Sequence, residues 1–332
     1  MAAYTTIDDP SAYFKVQLYT GDGNDSRTIT FDDTDTDMQP DMVWIKERSS
    51  TSSHYLTDSV RGIGKKLEPD GAGAESTEGL SAVTSDGFTI GTSTNQVNQD
   101  TITHVAWCWK ESADAGFDIV TYTGTGSAKT ESHSLSAVPH FFVIKSRSDS
   151  GDWNVGHQAF TYSSNDYIML SSTAALDQQS YVFNGTAPTS SVFSVGTGND
   201  VNGSSRTYVA YLWTEKQGFS KFGSYTGNGN ADGTFVYTGF KPAWILIKRT
   251  STAGNDWGIF DNKRLGYNVD NEELRPSAND AEQTDDRLDI LSNGFKIRLA
   301  GAGFNANGDT FIYMAFAEAP FVNSKGVPCN AR

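Results

Sequence analysis

Five residues recur three times in this chain and set the terms for its fold: YTGDG from Tyr19, YTGTG from Tyr122 and YTGNG from Tyr225. Successive copies start 103 residues apart. That period is longer than the ~20–50 residues of solenoid and propeller units, so each copy is expected to be a small domain. Expected limits are an N-terminal arm over 1–11, repeats over 12–112, 113–215 and 216–320, and a C-terminal tail over 321–332.

The flanking pattern repeats too. An apolar lead-in (Phe14, Phe117, Phe219) runs into each phrase. Later comes a proline, four mainly apolar residues and Ile-Lys: Pro40 to Lys46, Pro139 to Lys145, Pro242 to Lys248. A continuous apolar run reads as a strand buried on both faces, with the proline at its first position, where no ladder donor is lost. An aromatic follows eight or nine residues on, at Tyr55, Trp153 and Trp257. Copies one and three then carry Asp58 with Arg61 and Asp261 with Arg264, where copy two has His157 and no arginine. Alternating segments around Phe88, Phe193 and Phe295 read as strands with one buried face. Loops containing Asn98, Asn202-Gly203 and Asn307-Gly308 come next, read as turns. Each copy closes on alanine plus a ring, at Trp107, Tyr211 and Phe316, read as one core slot. These fifteen positions form the repeat signature: Tyr19, Pro40, Lys46, Phe88, Trp107, Tyr122, Pro139, Lys145, Phe193, Tyr211, Tyr225, Pro242, Lys248, Phe295 and Phe316.

With 32 glycines and many Ser, Thr, Asn and Asp residues, the chain suits strands and turns better than helices. Seven to nine short strands per repeat give an all-β reading of three tandem β-sandwich (jelly-roll or lectin-like) domains of about 100 residues. A net charge of −15 argues against a nucleic-acid surface, which needs clustered Lys and Arg. No apolar run approaches ~18 residues, and MAAYTTIDDP has neither the basic nor the apolar region of a secretory signal. Cys108 and Cys329 are too few for a disulfide framework, and their contexts argue against a single bridge.

Catalytic spacing is missing: there is no HExxH, paired CxxC or GxSxG. The expectation is therefore no enzyme, no cofactor and no metal. The acidic run from Asp32 to Asp37 and the segment from Asn228 to Gly233 offer oxygen ligands, but the first reads as a solvated loop and the second as a hairpin turn. The seven tryptophans are assigned to packing, because they lie on inferred strands at recurring positions. Loop residues are better candidates for holding a glycan.

A family resemblance sits on these same residues. TTIDDPSAYFKVQLYTGDG, the Pro40 segment ending IKERS, DSVRG at Asp58, SDGFTIG at Ser85 and VAWCWK at Val105 resemble the repeated module of tailed-phage virion proteins. Such proteins occur in phages of marine bacteria, including cyanobacteria, and are described as tail-fibre or lectin-like (concanavalin A-like). FKPAWILIKRT, SNGFKI and YMAFAEAP carry the likeness in copy three; copy two keeps VPHFFVIKSRS but lacks the Asp-Ser-Val-Arg-Gly element. The resemblance implies a virion structural protein assembled in the host cytoplasm, a tail fibre or tail-associated component that contributes to host attachment. Implied partners are other tail proteins, further copies of the chain as a homo-oligomer such as a trimer, and a host-surface glycan, with no nucleic acid and no membrane insertion. A capsid or tail decoration protein is the alternative, and a polysaccharide-degrading tailspike stands third.

Overall fold

The computed structural model describes residues 4–32, 36–91, 96–264, 268, 272–301 and 303–329. Asp33, Thr34 and Asp35 of the acidic run, residues 1–3 of the arm and 330–332 of the tail lie outside the described residues.

Among the described residues repeat 1 contributes β1 (Phe14–Thr20), β2 (Thr28–Thr30), β3 (Met42–Glu47), β4 (Tyr55–Asp58), β5 (Lys65–Lys66), β6 (Ser76–Thr77), β7 (Leu80–Thr84), β8 (Gly87–Ile90) and β9 (Thr103–Trp109). Repeat 2 contributes β10 (Phe117–Thr123), β11 (Lys129–Ser132), β12 (Phe141–Ser146), β13 (Asn154–His157), β14 (Asp166–Met169), β15 (Asp177–Gln178), β16 (Val192–Val195) and β17 (Thr207–Trp213). Repeat 3 contributes β18 (Ser220–Thr226), β19 (Phe235–Tyr237), β20 (Phe240–Arg249), β21 (Gly258–Asp261), β22 (Glu272–Glu273), β23 (Gln283–Thr284), β24 (Leu288–Leu291), β25 (Gly294–Ile297) and β26 (Thr310–Pro320). The chain is all-β, with antiparallel sheets in a sandwich arrangement.

Among the described residues each repeat has one large and one small sheet, and repeats 1 and 3 add the two-stranded pairs β5-β6 and β22-β23. The large sheets run β1-β9-β3-β4, β10-β17-β12-β13-β14-β15 and β18-β26-β20-β21; the small ones run β2-β8-β7, β11-β16 and β19-β25-β24. Side chains alternate across a strand, and here both faces of the large sheet are covered. On β3, Val43 and Ile45 point into an outer core with Ile29, Phe88 and Ile90 of the small sheet, while Met42 and Trp44 point into a second cluster. That double burial is why the Pro-to-Lys run has no polar face.

The second cluster belongs to no single repeat. It gathers Trp44, Trp107 and Trp109 from repeat 1, Trp153 and Trp213 from repeat 2, and Trp244 and Trp257 from repeat 3. All seven tryptophans of the chain therefore meet in one shared interior. Burying a large apolar side chain stabilises by roughly 1.5–3 kcal/mol, so this interior is a main source of stability held jointly by the three repeats.

Two expectations change. In repeat 3 the strand starts at Phe240, so Pro242 is its third residue; a register shift on either side of it makes a bulge that tolerates the missing donor. Residues 4–11, read as an arm, are docked: Ile7 is buried in the shared interior, Tyr4 Oη donates to Gly239 O at 2.7 Å, and Asp8 accepts from Ser324 N at 2.6 Å. The two chain ends are thus tied together on repeat 3.

Candidate functional site

The YTGxG phrase, glycine-rich and therefore a candidate ligand loop, is filled by the chain itself. Its tyrosine stacks on the ring opposite it: Tyr19 on His104, Tyr122 on Tyr208 and Tyr225 on Phe311, with centroids 4.9–5.1 Å apart. Each hydroxyl donates across to a carbonyl, Tyr19 to Val97 at 2.6 Å, Tyr122 to Val201 at 2.6 Å and Tyr225 to Phe304 at 2.7 Å. The next residue in each case is a buried asparagine, Asn98, Asn202 or Asn305. Its Oδ1 accepts the backbone N–H of Asp22, Thr125 or Asn228, and its Nδ2 donates back to the same loop. A buried amide so fully paired is a pin, since leaving it unpaired costs about 1–3 kcal/mol. Asn305 holds the position that sequence reading gave to Asn307.

The first glycine of the phrase is required by contact. A Cβ at Gly21, Gly124 or Gly227 would lie 1.9, 2.2 or 2.2 Å from the carbonyl oxygen of Gln99, Gly203 or Ala306. The second, Gly23, Gly126 or Gly229, has φ between +66° and +76°, where side chains are disfavoured.

Of the other signature residues some fill the outer cores and some reach across the three seams that close a ring. Phe88, Phe193 and Phe295 sit in the outer cores, and Pro40, Pro139 and Pro242 are buried. Lys145 Nζ crosses to the carbonyls of Ala72 (3.1 Å) and Gly73 (2.8 Å) in repeat 1, and Lys248 Nζ crosses to Ser172 O in repeat 2. Lys46 caps Glu47 O and Ser50 O of its own repeat. Burial pushes all three lysines down to about 8, so they remain charged at neutral pH.

Register re-sorts two slots of the signature. Phe316 pairs with Trp244 as Trp109 pairs with Met42 and Trp213 with Phe141; Met314, facing Leu246, stands level with Trp107 and Tyr211. Likewise Tyr55 opens β4 where Asn154 opens β13 and Gly258 opens β21, so His54 is the counterpart of Trp153 and Trp257. All three bond across a seam, Trp153 also to Gly71 O at 3.1 Å. Trp153 Nε1 donates to Glu68 O at 2.9 Å, Trp257 Nε1 to Met169 O at 2.9 Å, and His54 Nε2 to Arg275 O at 2.9 Å. The smaller ring at His54 is matched by the larger Trp44, whose Nε1 donates to His54 Nδ1, where the other repeats have Val143 and Leu246.

Two seams carry the same ion network. Between repeats 1 and 2, Arg61 bridges Asp58 and Glu75, Arg147 joins Glu75 at 2.9 Å, and Tyr211 Oη donates to Asp58 at 2.7 Å. Between repeats 3 and 1, Arg264 bridges Asp261 and Glu282, Arg48 joins Glu282 at 2.8 Å, and Trp107 Nε1 donates to Asp261 at 2.9 Å. Glu272 also meets Arg48, and burial together with the Glu282 charge pushes its carboxyl up. Between repeats 2 and 3 Leu176 N donates to Thr250 O at 2.9 Å, as Glu75 N does to Arg147 O and Glu282 N to Arg48 O at the other seams, and His157 replaces the aspartate. Among the described residues that seam has neutral and lysine–carbonyl hydrogen bonds in place of the arginine–carboxylate network of the others.

Among the described residues no group of three or more His, Cys, Asp and Glu is placed to hold a metal ion. In the Asn228-to-Gly233 segment, Asn228 and Asn230 accept N–H groups two residues on, and Asp232 pairs with Lys296. These are turn bonds. What the packing leaves outward are the small-sheet faces. Repeat 1 shows Thr28 and Thr30 there, repeat 2 Thr130 and Ser132, and repeat 3 Phe235 and Tyr237, 45% and 54% exposed.

One family's sequence model matches over residues 9–320, and its description is a domain of unknown function (DUF7483). No curated protein and no solved structure is a match.

Proposed function

The chain belongs to the DUF7483 family, a domain of unknown function, and we propose that it serves as a structural component of a tailed-phage particle. Its place in this proposal is a tail fibre or tail-associated part that contributes to attachment at the host surface, assembled in the host cytoplasm and joined to other tail proteins. The observation that carries the reading is the shared interior with its closed ring of seams. A chain that places all its tryptophans where three repeats meet is built as one stiff body, which suits bearing load and presenting an outer surface.

The inward apolar faces of the three large sheets are covered within the chain. Association into a homo-oligomer, a trimer in this proposal, then has to use the outer surface. Antibody labelling of intact particles in the electron microscope tests the assignment: label at the tail supports it, label on the head favours the decoration reading, and label on no part of the particle contradicts both. Competition by the purified chain against particle adsorption to host cells tests the attachment role.

A further inference from the structure

We propose that the outer face of the small sheet of repeat 3, β19-β25-β24, binds a neutral oligosaccharide by stacking a pyranose ring on Phe235 and Tyr237. The inference deepens the attachment reading, on which it rests for its biological setting, by naming the chemistry of the surface partner.

Comparison within the chain isolates the feature. Registered against the small-sheet strand beside it, Phe235 occupies the place of Thr28 and Tyr237 that of Thr30, while repeat 2 has Thr130 and Ser132. Threonine and serine satisfy the fold at these outward positions. The Tyr237 hydroxyl reaches Tyr4 and the Phe235 ring lies against Gly294, yet both rings keep 45% and 54% of their surface in water, because the inward residue between them, Val236, is the one that joins the outer core.

The geometry suits a flat ligand with hydroxyls at its rim. Two residues apart on one strand, the rings project from the same face about 6.5–7 Å apart. In register with Tyr237 is Gly294, as Gly87 is with Thr30; a Cβ there would lie 2.1 Å from Val236 O and 3.2 Å from the Phe235 ring, so that ring lies along the strand over this glycine and widens the flat surface beside Tyr237. In the next row Lys296 faces both Phe235 and Asp289. Past Asp289 opens a cleft lined by Asn268, Asp286, Leu288 and Arg298. An aromatic platform beside a polar cleft, spanning three strands or about 10 Å, has room for two sugar rings.

Charge decides the ligand class. Lys296 is paired with Asp232, and Arg298 with Asp289 at 3.2 Å. With these cations compensated and a net charge of −15 on the chain, an anionic polymer is disfavoured and a neutral one is not. The patch is also too small for a stable second copy, which needs about 800 Å² per partner; the other large apolar side chains exposed among the described residues are Val60, Val138, Tyr181 and Val327.

The test uses the intact chain on an array of neutral and anionic oligosaccharides, followed by calorimetric titration of the neutral hits. The expected result is neutral pyranose binding that weakens by about tenfold or more in Phe235→Thr/Tyr237→Thr. Thr28→Ala/Thr30→Ala should leave it unchanged. Thermal unfolding of the aromatic double variant should stay within a few degrees of the parent, because threonine already serves at these places in repeat 1 and only the contact of Tyr237 with Tyr4 is lost. Three results overturn the proposal: no neutral oligosaccharide binds, binding survives the double substitution, or the substitution instead abolishes a concentration-dependent dimer. Localisation of the protein on the head with neutral-sugar binding intact would sink the attachment reading and leave this inference standing.

Discussion

Gly124 has to be glycine because a carbonyl occupies the space where its Cβ would be. Gly124→Ala is expected to destabilise by about 1–3 kcal/mol in urea unfolding, the cost of overpacking, whereas Gly73→Ala, with open space around it, should change little. Equal effects would mean that the phrase is not pinned. Histidines give a second residue-level outcome. His54, His104 and His157 are buried, and desolvation holds them down at about 3, 4 and 4. Below pH ~6.5 the unfolded chain binds protons that the folded chain does not, so stability present above that pH is lost as pH falls toward 3–4. The slope should be about 1.4 kcal/mol per pH unit per histidine, offset in part by Glu111 and Glu272, which are pushed up to about 7, and His54→Phe should remove one histidine share; identical slopes for parent and variant between pH 6.5 and 4.5 would contradict it. The phrase was legible in the sequence as a repeat, and so was the tryptophan packing. That Tyr19, Tyr122 and Tyr225 reach a carbonyl beside a buried asparagine was not, because the partner lies about 79 residues away on another loop.

At the level of elements, the strands follow from pattern; their pairing and the seams do not. Prolines, apolar runs and Ile-Lys mark β3, β12 and β20 well, while the two-residue shift of Phe316 is visible only through register with Trp244. Likewise, Asp58 with Arg61 and Asp261 with Arg264 stood out as repeated pairs, but nothing local shows that Glu75 and Glu282 complete them. The difference between the seams predicts a coupling. Glu75→Leu alone strands Arg147 and leaves Arg61 to Asp58, whereas Glu75→Leu with Arg147→Thr installs the pair found at Leu176 and Thr250. The double variant should be more stable than the sum of the two single changes by about 1–3 kcal/mol, read from a double-mutant cycle. Simple additivity would show that the seam does not act as a network.

For the whole molecule, sequence period suggests separate beads, and the packing joins them. Each repeat can be recognised by its own outer core, yet its large sheet presents a second apolar face that only the other two repeats cover. The period could not reveal this, since an inward-facing Trp44 or Trp153 looks the same in sequence whether it faces its own domain or a neighbour. The reading of three repeats as one cooperative body is tested most directly by calorimetric unfolding of the intact chain beside an isolated 113–215 fragment. One transition whose calorimetric and van't Hoff enthalpies agree, with a fragment that does not fold alone, is the predicted result. Three resolved transitions, or a fragment as stable as the intact chain, would contradict it.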